Sequence, residues 1–147
     1  MNVFNRQAKR LQKNRAALLP NTDDYDYLKD EVARRIVDRL SDVSRHFPSV
    51  LDLGCGKGHL AKALTTTHVT SLVQCDHSEE MVKRSFINPD IPTKTLVVDE
   101  EFLPFDKNTF DAVLSSLSLH WVNDLPGVFQ QVKTCLKDDG MFLVGLF

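Results

Sequence analysis

Val50-Leu51-Asp52-Leu53-Gly54-Cys55-Gly56-Lys57-Gly58 sets a short apolar strand directly against three glycines spaced two apart. A strand that is apolar at nearly every position is one covered on both faces, as in a parallel sheet. Glycines at its carboxyl end allow positive φ and let backbone amides approach a ligand with no Cβ in the way. A helix predicted from His59 to Leu64, with Leu60, Ala61 and Leu64 inward, points its positive end at the same place. Taken alone, the glycines also fit a tight turn that holds nothing.

Outward from this junction, strands alternate with helical patterns. Pro20 to Asp26 is polar and turn-like, and Leu28, Val32, Ile36 and Leu40 then recur every four residues as the stripe of an amphipathic helix. Strands are predicted at Ser49–Leu53, Val69–Gln74, Thr93–Val98, Phe110–Ser115 and Met141–Phe147. Ser78 is placed to cap a helix reaching about Phe86. A further helix is expected from Asp124 to Lys137, followed by a turn at Asp138-Asp139-Gly140. Such alternation gives an α/β fold with a doubly wound parallel sheet. The charge pattern divides the chain into an arm, 1–26, and one domain, 27–147.

Ligands of open parallel sheets sit beyond the carboxyl ends of the strands, near the point where strand order reverses. The acidic and polar residues cluster at those ends. Asp76 follows the second strand, 22 positions beyond Gly54; it suits the two hydroxyls of a ribose, or else caps the next helix. Asp99 follows the third strand and suits an exocyclic amino group such as that of adenine, or else caps a loop. After the fourth strand come Ser116 to His120 and then Trp121. His120 and Trp121 are the catalytic candidates, as a general base and a surface on which a guanidinium stacks; packed aromatics at a helix entrance are the alternative. Cys55 has no local His or acid and reads as a space-filler. Lys57 faces either an anionic ligand group or solvent.

The strand-and-glycine stretch from Val50 to Gly58 resembles motif I of the class I S-adenosylmethionine-dependent methyltransferases, whose pattern is GxGxG. Leu103-Pro104-Phe105 followed by Phe110-Asp111-Ala112-Val113 matches the way these enzymes enter strand four. The resemblance implies a Rossmann-like fold with S-adenosylmethionine as cofactor. It assigns Asp52, Gly54, Gly56, Gly58, Asp76, Asp99 and Ser116 to cofactor binding. Gly54 and Gly56 would flank the methionine part, Asp76 the ribose and Asp99 the adenine end. A more specific similarity runs through Phe4-Asn5-Arg6, Lys9-Arg10, Tyr27-Leu28-Lys29, Asp99 to Phe105 and Ser115 to Pro126. Those segments resemble the mitochondrial complex I assembly factors of the methyltransferase fold. That family implies arginine hydroxylation of a complex I subunit in the mitochondrial matrix, with peripheral contact to the inner membrane and no nucleic acid. The malonyl-acyl carrier protein methyltransferases share parts of the pattern, including His120-Trp121. A non-catalytic assembly module that binds partners through the arm is the third reading. Measured against the full fold, the sheet is expected to be incomplete at its C-terminal edge, leaving the fifth strand as an apolar edge.

Composition bounds these readings. Residues 1–22 hold five basic and no acidic residues, so the remainder holds 13 basic against 20 acidic ones, a balance of -7. The arm is expected to be a solvated, partly helical extension, with an import signal or an anion-binding segment as alternatives. Three scattered cysteines (Cys55, Cys75, Cys135) without CxxC spacing imply reduced thiols rather than a disulfide framework or zinc site. Five histidines show no metal-binding spacing, so no metal is expected. No apolar run approaches the roughly 20 residues of a membrane-spanning helix.

Overall fold

The computed structural model describes residues 3–19 and 23–146. Five strands, β1 (Phe47–Leu53), β2 (Val69–Asp76), β3 (Thr93–Val97), β4 (Phe110–Ser116) and β5 (Leu136–Gly145), form one parallel sheet in the order β3-β2-β1-β4-β5. The chain runs outward from β1 to β3, then returns to place β4 on the other side of β1. That reversal puts the crevice for a ligand at the ends of β1 and β4.

Both faces are covered, as the apolar strands require. Successive residues of β1 go to opposite sides. Val50 joins Ile36, Val37 and Leu40 of α2 (Asp23–Ser41) and Leu60 of α3 (His59–Ala63). Leu51 and Leu53 join Val128 and Val132 of α5 (Leu125–Cys135). Each such leucine or isoleucine, once buried, is worth about 1.5–3 kcal/mol. Ser78 caps α4 (Glu79–Arg84), its hydroxyl accepting from the Met81 N–H at 3.2 Å. Asp124 does the same for α5 through the Gly127 N–H at 3.0 Å.

The structure departs from the sequence reading at several ends. The polar stretch before α2 is helical from Asp23; residues 20–22 lie outside the described ones. Leu28 is turned away from the core and is half-exposed. The expected turn at Asp138-Asp139-Gly140 is absorbed into β5. Leu136 already pairs with Phe110 and Met141 pairs with Ala112, so the intervening residues form a bulge. Strand β5 pairs only with β4 in the described sheet. A cavity of about 710 Å³ lies between its apolar side and α5, lined by Phe129, Val132, Phe142 and Val144.

The largest departure is the arm. It is helical as α1 (Arg6–Leu18), capped by the Asn5 side chain accepting from the Ala8 N–H at 3.0 Å. It is docked rather than solvated, lying against α4 across the carboxyl ends of the strands. Charge decides this outcome, because a basic helix meets the acidic edge of the sheet.

Candidate functional site

The glycine loop leaves β1 with three residues of positive φ, Gly54 (74°), Gly56 (55°) and Gly58 (86°). Its first two amides turn back onto β2, Gly54 N–H and Cys55 N–H both donating to the Cys75 carbonyl at 2.9 and 2.8 Å. A Cβ on Gly54 would strike the Ser118 side chain and lie 3.3 Å from Glu100 Oε1. Among the described residues, a Cβ on Gly56 would meet only His59, at 4.0 Å, so this glycine borders open space. Gly58 is a glycine for another reason: the Phe86 backbone fills the place of its side chain, at 2.6 and 2.7 Å.

Beside the loop is a cavity of about 370 Å³, within the range of small-ligand sites. Six of the residues predicted for the site line it: Asp52, Gly54, Gly56, Ser116, His120 and Trp121. Asp52 is buried, and among the described residues neither of its oxygens nor Ser116 Oγ has a hydrogen-bond partner. Burial, reinforced by Asp76, pushes the Asp52 carboxyl well above the usual carboxylate range. Orphaned polar atoms at the wall of a cavity are what a polar ligand end would satisfy. Burial, then Lys9 and Lys13, hold His120 below the ordinary histidine range, which keeps it a neutral acceptor.

Asp76 and Asp99 are near the cavity but already engaged. Asp76 is fully buried and accepts from the Gly56 N–H and the Ser78 N–H, each at 2.9 Å. Both its oxygens also accept from Lys13 Nζ at 3.0 Å. Burial opposes the charge on Lys13, yet Asp76 and Glu100 outweigh it and raise its pKa. Asp99 accepts from Arg6 Nη2 and from the Glu101 N–H, each at 2.9 Å. Burial alone would push Asp99 up, but the Glu101 N–H and Arg6 hold it below the ordinary value. Asn14 reaches Ser78, completing the cover of this half. The described arrangement is therefore two halves: an open one beside the glycines, and one whose carboxylates are held by cations of α1.

Several participants were absent from the sequence reading. Arg6, Lys9 and Lys13 are the arm's contribution, and Lys9 Nζ stands 3.4 Å from the centre of the Trp121 ring. Their helical spacing was visible, but nothing local said what they would face. His59 lines the cavity with Nδ1 2.6 Å from Asp30 Oδ1, joining α3 to α2. Burial holds His59 below the usual range despite Asp30. Cys55 is buried and its thiol is pushed well up by burial, then by Asp52 and Asp76, which fits the space-filling role. Among the described residues, no group of three or more His, Cys, Asp or Glu side chains is placed to hold a metal ion.

S-adenosylmethionine suits this set. Its amino-acid end needs polar partners beside glycines, where Asp52 and Ser116 are orphaned, and its nucleoside end needs carboxylates such as Asp76 and Asp99. Comparison with known proteins points the same way. The mouse protein "Arginine-hydroxylase NDUFAF5, mitochondrial" is 50% identical over all 147 residues, which span 43% of its length. A malonyl-[acyl-carrier protein] O-methyltransferase from Methylovorus is 29% identical over 79% of this chain and 42% of its own. The chain thus spans less than half the length of the curated relatives it matches. Among solved structures, a Haloferax volcanii protein in complex with the Trm112 methyltransferase activator superposes with a TM-score of 0.73 at 24% identity. That match covers 88% of this chain and 57% of the other. The methyltransferase domain model matches residues 51–144, from β1 through most of β5. By fold, glycine loop and that match, the chain belongs to the methyltransferase domain family.

Proposed function

We propose that this chain is the S-adenosylmethionine-binding part of a mitochondrial arginine hydroxylase that modifies a subunit of respiratory complex I during its assembly. The observation that carries the reading is the 50% identity, sustained over every residue of the chain, to proteins named as arginine hydroxylases. The finer location proposed is the matrix, in peripheral contact with the inner membrane.

In this reading Asp76 would hold the ribose hydroxyls and Asp99 the adenine amino group. Gly54 and Gly56 would border the methionine part, with Asp52 and Ser116 facing its polar end. When bound, the cofactor supplies a positively charged sulfonium carrying a transferable methyl group. The chain's own residues orient that end: Asp52, protonated while alone, has a reason to ionise beside a cation. His120 is neutral and borders the cavity, so it is placed to accept a proton from a group bound there.

A second reading has its own support. Lys9, Lys13 and Lys29 line the cavity and would favour an anionic acyl group, as in the malonyl-carrier methyltransferases. One pair of measurements separates the two. For the hydroxylase, a complex I arginine gains one oxygen in normal cells and lacks it in cells without this protein. For the methyltransferase, label from the cofactor's methyl group appears on an acyl carrier instead. Calorimetry against NAD tests what both share, and tighter binding of NAD than of S-adenosylmethionine would overturn both.

A further inference from the structure

The glycine loop hands the chain to α3 at His59, and that ring is held from behind. Its Nδ1 lies 2.6 Å from Asp30 Oδ1 of α2. The histidine side chain is 7% exposed and the Asp30 side chain 44%, so the pair is dry at the ring and wet at the carboxylate. Burial outweighs Asp30 and Asp26 and holds the ring below the usual histidine range, which leaves it neutral. A carboxylate only accepts hydrogen bonds, so the single ring proton is on Nδ1 and Nε2 carries a bare lone pair.

That lone pair has no use within the described residues. Nε2 is buried and has no hydrogen-bond partner among them. Asp26 Oδ1, at 3.9 Å, is beyond hydrogen-bonding range and is itself an acceptor. Joining α3 to α2 accounts for Nδ1 and leaves Nε2 unexplained. A buried acceptor left empty forfeits its hydration and gains nothing in return. The ring lines the 370 Å³ cavity. Its Cδ2, the carbon bonded to Nε2, is the atom that a Cβ on Gly56 would approach, at 4.0 Å. The ring edge that carries the empty acceptor is therefore the edge beside Gly56, where the loop borders open space.

A ligand that satisfies Nε2 must bring an N–H or O–H donor to this place. In the cofactor reading Asp76 takes the ribose hydroxyls and Asp99 the adenine amino group, and a sulfonium has no such hydrogen. The donor left is the α-ammonium of the amino-acid end. Asp26 and Asp30 flank the ring and favour a cation there, with Lys29 as the opposing charge. An ammonium has three N–H donors, so His59 takes one and Asp52 can take another.

We propose that His59, oriented by Asp30, accepts a hydrogen bond from the α-ammonium of the cofactor's amino-acid end. His59 is the binding residue and Asp30 a positioning residue that acts through it. The inference rests on the reading of this crevice as an S-adenosylmethionine site, and adds a contact between α2 and α3 that selects ligands bearing the amino group.

The test is calorimetry on the full chain with S-adenosylmethionine, its decarboxylated form, which keeps the amino group, and 5′-methylthioadenosine, which lacks the amino-acid end. His59→Phe keeps a ring and removes Nε2. It should weaken the first two ligands by about tenfold to a hundredfold, the worth of a hydrogen bond to a charged group, and leave the third unchanged. Asp30→Ala should weaken the same two severalfold, while Asp30→Asn, whose Oδ1 still accepts from Nδ1, should retain most of the binding. Ring ¹⁵N signals should place the His59 proton on Nδ1 in the parent and in Asp30→Asn, and move it toward Nε2 in Asp30→Ala. The Asp30 variants and the ring signals decide the matter if His59→Phe does not fold. Equal losses for all three ligands reduce the pair to a structural joint and overturn the inference. So does a loss for S-adenosylmethionine that the decarboxylated form does not share, or a parent ring protonated on Nε2. If the parent binds S-adenosylmethionine and His59→Phe binds it as well, the inference fails and the cofactor reading stands. If the parent binds none of the three, the cofactor reading fails and takes the ligand assigned to His59 with it.

Discussion

Lys13 is the side chain whose removal tests the divided site most directly. Its ammonium stands 3.0 Å from both oxygens of Asp76. That carboxylate has no exposed surface, while 21% of the lysine side chain meets solvent. At an effective dielectric near 20, unit charges about 3 Å apart attract by roughly 5.5 kcal/mol. Immobilising the lysine takes back about 2 kcal/mol, and partial dehydration of the ammonium takes about as much again. The net is about 1.5 kcal/mol, a factor of roughly ten in an equilibrium. In the proposed reading the ribose takes this same carboxylate, whose acceptor sites are filled by Lys13, Gly56 and Ser78, so the cofactor would displace the ammonium. Lys13→Met keeps the stem and removes the charge, and Asp76 retains its two backbone donors from Gly56 and Ser78. The variant without ligand should melt about 5 °C lower, given the unfolding entropy of a chain this size. Calorimetry should nonetheless show S-adenosylmethionine binding roughly tenfold more tightly. A melting temperature that falls together with weaker cofactor binding would refute the reasoning, because Lys13 would then be a ligand of the cofactor and not its competitor.

Two further outcomes follow from the glycine loop and the acid beside it. The folded chain holds on Asp52 a proton that the unfolded chain releases, so stability is full below the unfolded carboxylate pKa. It declines as pH rises from there through the folded value, by about 1.4 kcal/mol for each unit between the two. Asp52→Asn abolishes that decline, and its advantage in thermal unfolding should grow from about pH 4 upward; a gap that does not change with pH would contradict this. Gly54→Ala combines a left-handed backbone, costing about 1–2 kcal/mol, with a collision against Ser118, costing about 1–3 kcal/mol. Adding Ser118→Gly should restore only the second part in denaturant titrations, and full recovery would show that the φ of 74° carries no strain.

What could be read from the sequence followed from how local its cause was. The sheet was legible because each central strand is an apolar run ending in glycine, acid or serine, and these features lie within a few residues of one another. The bulge in β5 was not. Asp138-Asp139-Gly140 has the composition of a turn, and only the backbone of β4, more than twenty residues earlier, makes it strand. The six candidates that line one cavity were found for the same reason as the strands, since a parallel sheet delivers every strand end to one edge. Gly58 is the exception within the motif, because its partner, Phe86, lies on another connection.

The arm required one more step of the same argument. Arg6, Lys9, Arg10 and Lys13 recur at three- and four-residue intervals, which puts them on one face of a helix. The remaining chain carries seven more acidic than basic residues, and counted as an average that excess merely surrounds the domain. Parallel topology removes the averaging. Asp52, Asp76, Asp99 and Glu100 all follow or end strands that run the same way, so their charge is gathered at one edge. A cationic stripe of helical period has one place where it is best matched, and Lys13 and Arg6 are found there. The carboxylates proposed to hold the nucleoside are the ones that meet α1. In that reading the cofactor's site and the seat of the arm overlap, and the two compete wherever the acceptor capacity of a shared oxygen is already filled.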